Sequence, residues 1–212
     1  MHVTTSTGPA HVSVDAMPIS DHPLLAAIPM LHDCPNGSVE NRRLAVQNAC
    51  TYQRFEGEWA EFGTYRGQTA TWMLPYLPED GTLHLFDSYQ GLPRRWSGLP
   101  KGSFKTEPPS FDDPRVIMHN GWFEDTVSVL ADRDLAFLHI DCDLYESTLD
   151  VLWQLPPLKN GTIMLFDEYV HNLGDKPVDD EHRAFTEWAA DNDIKWRYLW
   201  RTAWTQVCVE IL

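Results

Sequence analysis

The 212 residues carry 31 acids against 16 bases, a formal net charge of −15, and 43% of them are hydrophobic and 12% aromatic. That balance excludes a disordered chain and, with the bases scattered, argues against nucleic acid or an anionic membrane as a partner. The length suits one domain with one substantial core.

Residues 1–37 are rich in Ser, Thr, Pro and His without periodicity, so they read as a flexible N-terminal segment or a lid, and residues 38–212 as the folded domain. The first helix is expected in "SVENRRLAVQNACTYQR", where a serine cap is followed by apolar residues at helical spacing. Strand and helix then alternate. "EWAEFG" reads as strand, "GQTATWMLPYL" as helix, "TLHLFDS" and "RVIMHNG" as strands and "FEDTVSVLADR" as helix. "LAFLHID" follows as strand, "YESTLDVLWQL" as helix, "GTIMLFDEY" as strand and "DDEHRAFTEWAADN" as helix capped by Asp179 or Asp180, before "KWRYLW" and "TQVCVEIL" close as a strand pair. Short apolar strands separated by helices predict an α/β fold: a doubly wound, mostly parallel, seven-stranded Rossmann-like sheet with an antiparallel final strand. Residues 89–114 are too long for an ordinary connection and have the length of a lid over a site.

Cys34, Cys50, Cys142 and Cys208 form no CxxC pair and read as free thiols. No basic, apolar leader opens the sequence and no apolar run approaches the length of a membrane span, so the expectation is a cytoplasmic protein with a small-molecule substrate. Its oligomeric state stays open, a homo-oligomer included.

"EFGTYRGQTA" has two glycines, one fewer than a dinucleotide fingerprint requires, and an acid, Glu61, before the first. A carboxylate there repels a pyrophosphate but accepts hydrogen bonds from an amino-bearing ligand such as S-adenosylmethionine. Asp87 ends the second strand where doubly wound folds place an acid on ribose hydroxyls. Trp122 or Phe123, after the third strand, could pack on an adenine ring.

Two apolar strands, "FLHID" and "MLFDE", end in Asp141 and in the pair Asp167 and Glu168. As neighbouring strands they would bring three carboxylates into one crevice, where mutual repulsion calls for a cation. All-oxygen ligation suits Mg2+, Mn2+ or Ca2+ rather than zinc. Such an ion would bind two neighbouring substrate oxygens and acidify a hydroxyl. Asp143 is expected to point elsewhere, capping the helix that starts near Tyr145, and His171 is a candidate for substrate contact or base.

"EFGTYRGQTA", "HLFDSYQGLP", "NGWFEDT", "HIDCDLYESTLDVL" and "GTIMLFDEY", in this order over about residues 58–185, resemble the macrocin O-methyltransferase family of sugar-methylating enzymes from antibiotic biosynthesis. The resemblance implies a class I, S-adenosylmethionine-dependent O-methyltransferase with a Mg2+ site, acting on a sugar hydroxyl beside another oxygen. By the same resemblance, Glu61, Gly63, Tyr65, Gly67 and Thr69 would surround the methionine end of the cofactor, Asp87 and Ser88 the ribose, and Gly121 and Trp122 the adenine. Asp141, Asp167 and Glu168 would ligate the metal, with Asp141 or a metal-bound water as base. The sequence departs from the family in Glu168, where a second aspartate is usual. Other readings are a phenolic or catechol-like diol as substrate, a nicotinamide-dependent oxidoreductase on the same fold, and a cofactor-binding subunit without activity.

Overall fold

The computed structural model describes residues 25–31, 39–173 and 176–212. Among the described residues nine strands and five α-helices follow in chain order: α1 (Val39–Cys50), β1 (Glu58–Phe62), α2 (Gln68–Met73), β2 (Leu83–Asp87), β3 (Val116–Asn120), α3 (Phe123–Thr126), β4 (Leu135–Ile140), α4 (Tyr145–Leu152), β5 (Ile163–Phe166), β6 (His171–Leu173), β7 (Lys176–Val178), α5 (Asp180–Asp191), β8 (Trp196–Arg201) and β9 (Val207–Ile211). The main sheet has the order β3-β2-β1-β4-β5-β9-β8, and β6 and β7 pair separately as an antiparallel hairpin. Strands β1 to β5 run parallel, β9 enters antiparallel to β5, and β8 pairs antiparallel to β9. This is the doubly wound sheet with one reversed strand that the alternation predicts. The hairpin is an addition, because three-residue strands carry no periodicity to read.

The central strands are mostly apolar on both faces because both are covered, with Glu61 of β1, His84 of β2 and His139 of β4 as buried exceptions. Phe62, Phe86, Ile140 and Phe166 point to one face and join Val151, Ala184, Phe185 and Trp188 from α4 and α5. Trp59, Leu85, Phe137 and Leu165 point to the other and join Val46, Ala49, Ala70 and Met73 from α1 and α2. The two layers hold the carboxyl ends of β1, β2, β4 and β5 at one rim of the sheet, where Asp87, Asp141 and Asp167 emerge.

Of the segment 1–37, residues 25–31 are described and are packed. Leu25 and Ile28 are buried in the core, Met30 bridges Arg201 of β8, and the Arg201 guanidinium donates from Nε to the Leu25 carbonyl at 2.9 Å. Residues 1–24 and 32–37, on which the reading as tail or lid also falls, lie outside the described residues. So does Cys34. Cys50, Cys142 and Cys208 are buried free thiols.

The long connection between β2 and β3 folds over the rim. Leu92 and Trp96 pack on Leu144, and Trp96 Nε1 donates to Asp180 at 3.1 Å, which ties the connection to the start of α5. Asp179 stands at the N-cap of α5. Asp143 does not cap α4: Leu144 holds that position without a side-chain cap, and Asp143, at φ 63°, turns toward the rim instead.

Candidate functional site

The turn after β1 sets the geometry. Gly63 has φ 101°, and a Cβ added there would lie 1.9 Å from the Asp141 carbonyl oxygen, so only glycine lets the β1 turn approach the end of β4 so closely. Gly67, at φ 74°, opens α2 against the Phe111 ring. Between them the Tyr65 amide donates to Asp87 Oδ2 at 2.7 Å, and Asp87 Oδ1 accepts from the Tyr89 amide at 2.7 Å. Asp87 is thus fixed at both oxygens. Burial, the largest influence, raises its pKa against those two amides.

A cavity of about 250 Å³ opens at this rim, lined among others by Gly63, Asp87, Ser88, Gly121, Trp122 and Asp141. Five carboxylates, Asp87, Glu124, Asp141, Asp143 and Asp150, line it, and among the described residues no Lys, Arg or His does. Such a wall repels phosphate and attracts a cation.

Several residues expected to surround the cofactor lie behind this wall. Glu61 is fully buried beneath the glycine turn, where Oε1 meets His139 Nδ1 at 3.2 Å and Oε2 has no hydrogen-bond partner. Thr69 is buried inside α2. Tyr65 contributes its amide to Asp87 and sets its ring edge-on to Phe104, which itself lines the cavity. His171 is 6% exposed, bonds Ser97 Oγ through Nε2 at 3.0 Å and packs on Trp96, and it is absent from the cavity lining.

Asp141, Asp167 and Glu168 do converge: one carboxylate oxygen from each lies within 4.8 Å of the others. The register explains it, since β4 and β5 pair in parallel up to Ile140 and Phe166, and the next residues leave the sheet side by side. Burial pushes Asp141 and Glu168 up, Glu168 well above the carboxylate range with the charges of Asp167 and Asp141 adding to it. Burial would raise Asp167 too, but Arg42 and His139 outweigh it and hold that group low. Burial likewise disfavours a charged His139, yet Asp167 and Glu61 prevail and its pKa is pushed up to about 10. His139 Nε2 stands 3.8 Å from Asp167 Oδ1, an ion-pair contact too long for a hydrogen bond.

Two residues at this site escaped the sequence reading. Arg42 of α1 forks across the cluster, Nη2 on Asp141 and Nε on Asp167 at 2.9 Å. Glu181, fully buried in the first turn of α5, accepts from the Cys142 amide at 3.0 Å and the Glu168 amide at 3.1 Å. It therefore joins the two strand ends that carry the acids. In the sequence Glu181 looks like an ordinary first-turn acid, and Arg42 like a surface arginine beside Arg43; neither has a spacing that signals its role.

The sheet order, the glycine turn and the acid-walled cavity at the carboxyl rim define a Rossmann-like methyltransferase fold. The chain belongs to the family described as a methyltransferase domain, whose model matches residues 60–169. Demethyldecarbamoylnovobiocin O-methyltransferase of Streptomyces niveus is 30% identical in an alignment 171 residues long that covers 69% of this chain and 65% of that protein. The 8-demethyl-8-(2,3-dimethoxy-alpha-L-rhamnosyl)-tetracenomycin-C 4'-O-methyltransferase of Streptomyces olivaceus is 28% identical in an alignment 138 residues long that covers 53% of each chain. The chain thus spans 65% and 53% of the length of these curated relatives. The solved structure of the O-methyltransferase NovP matches with TM-score 0.57 at 26% identity, over 81% of this chain and 78% of that one. TomG from Streptomyces achromogenes, solved in complex with SAM, shares the fold with TM-score 0.52 at 19% identity, over 86% and 83% of the two chains.

Proposed function

We propose that the protein is an S-adenosylmethionine-dependent, Mg2+-dependent O-methyltransferase acting on a hydroxyl next to another oxygen, on a sugar of a natural product. The observation that carries this reading is the convergence of Asp141, Asp167 and Glu168 beside a cavity walled by acids. S-adenosylmethionine brings a sulfonium and an ammonium and no phosphate, which suits that wall; a nicotinamide dinucleotide, with its pyrophosphate, does not. The sugar is favoured by the rhamnosyl group in the name of the Streptomyces olivaceus relative and by the macrocin-type motifs.

Asp87, fixed by two amides, would present its carboxylate to the ribose hydroxyls beside Ser88, with Gly121 and Trp122 on the adenine side. Gly63 leaves room at the methionine end, and Glu61, Tyr65, Gly67 and Thr69 would support that turn from behind. Asp141, Asp167 and Glu168 fit a hard divalent ion by donor type and mutual distance. When bound, such an ion lowers the pKa of a coordinated hydroxyl. With S-adenosylmethionine bound, the substrate oxygen would take the methyl carbon as the carbon–sulfur bond breaks with its pair left on sulfur, and Asp141, the cluster acid that lines the cavity, would receive the hydroxyl proton. His171 would serve only to hold the Trp96 loop, since Ser97 and Trp96 already surround it.

The test is titration calorimetry of S-adenosylhomocysteine into chelator-treated protein, then of vicinal diols, both sugars and catechols, with and without Mg2+. Binding of the cofactor product, followed by a sugar diol that binds only with Mg2+, is the expected result. No binding of S-adenosylhomocysteine at millimolar ligand would defeat the reading, and a preference for catechols would overturn its sugar part.

A further inference from the structure

We propose that Arg42 is an internal counter-cation of the Asp141, Asp167 and Glu168 cluster, holding the place of a divalent ion and leaving when that ion enters. This rests on the metal reading above and adds to it a residue of this chain that sets the affinity for the metal.

The guanidinium bridges Asp141 and Asp167, two of the three acids, from neighbouring strand ends. Asp167 Oδ1 accepts Arg42 Nε at 2.9 Å and Gln206 Nε2 at 3.4 Å, so its lone pairs are already engaged. A divalent ion drawing the same carboxylates to about 2.0–2.2 Å would meet the fork where it now lies, and a second positive charge beside it would be repelled. The guanidinium therefore opposes the entry of an ion at the oxygens it holds, Asp141 Oδ2 and Asp167 Oδ1.

Among the described residues, Arg42 and His139 are basic groups that touch these acids, and they differ in freedom. His139 is fully buried in the sheet between Glu61 and Asp167, with no route out. The Arg42 side chain is 32% exposed and sits in the first turn of α1. A long arginine with a third of its surface in water can swing its head group to solvent and lose little. The exchangeable cation is therefore Arg42. The fork offsets one of the cluster's negative charges and ties the ends of β4 and β5 together through Asp141 and Asp167.

The test is calorimetric titration of Mg2+, with Mn2+ as a second ion read by electron paramagnetic resonance, into the chelator-treated full chain without cofactor or substrate. Parent, Arg42→Gln and Arg42→Lys proteins are compared, with thermal melting in chelator as the fold control. Arg42→Gln is expected to bind either ion about tenfold more tightly, one charge pair's difference, and to melt lower than the parent in chelator while gaining more from Mg2+. Arg42→Lys keeps the charge and loses the fork, so its gain is expected to be smaller. Equal affinity in parent and Arg42→Gln would overturn the exchange and leave the metal reading intact. An affinity of Arg42→Lys above that of Arg42→Gln would also overturn it. Binding by none of the three would overturn the metal reading itself.

Discussion

Glu181 shows how much one buried carboxylate can organise. Its two oxygens satisfy the amides of Cys142 and Glu168, which follow the acids ending β4 and precede the turn after β5. Burial keeps its pKa well above the usual range, with the charges of Asp141 and Asp167 adding to the effect. In Glu181→Ala both amides lose their acceptor in a buried place, at about 1–3 kcal/mol each. We expect the variant to lose about 2–5 kcal/mol in urea denaturation, whereas Glu181→Gln, with one carbonyl oxygen left, should lose less than half as much. Equal losses would show that the charge, and not the two hydrogen bonds, is what matters.

At the scale of elements, the connection between β2 and β3 and the β6–β7 hairpin are joined through one histidine. His171 lies between Trp96 and Ser97, and burial depresses its pKa to about 4. The folded state therefore binds fewer protons than the unfolded state between that value and the ordinary 6.5, so stability is complete above pH 6.5 and falls as the pH drops toward 4. The full shift corresponds to about 3 kcal/mol. Proteolysis of the connection around Trp96 should accelerate over that acidic window in the parent and lose this dependence in His171→Gln. A parent protein nicked at the same rate at pH 7 and pH 4.5 would contradict it. The helices and strands of the main sheet were legible because both-face burial writes itself as apolar runs such as Leu135–Ile140, and strand ends announce themselves as acids. The connection's anchors were not, because Trp96 to Asp180 and Ser97 to His171 are contacts between segments that are distant in sequence and have no periodicity of their own.

For the whole molecule, the cavity at the carboxyl rim draws on the ends of β1, β2 and β4 and on α4 at once, so a ligand there should stabilise the entire domain. S-adenosylhomocysteine at one hundred times its dissociation constant contributes about 2.7 kcal/mol, a rise of roughly 5–10 °C in Tm for a chain of this size. Scanning calorimetry should show a single transition moving by that amount. The sequence carried the convergence of Asp141, Asp167 and Glu168, since adjacent parallel strands follow from their order and length. It did not carry Arg42, which lies 99 and 125 residues from its two partners and whose helix could have been placed on either face of the sheet. Among the described residues no helix is long and apolar enough to cross a membrane. The last strand in the chain is not the last in the sheet: β9 is inserted between β5 and β8. On the ribosome, then, Phe166 and its neighbours emerge with one hydrogen-bonding edge bare, and it remains so until Val207 follows about 40 residues later, on the order of seconds at ordinary rates of translation. During that interval the nascent chain offers an open, wholly apolar strand to any similar edge nearby, and chaperone occupancy of ribosome-bound intermediates should peak there.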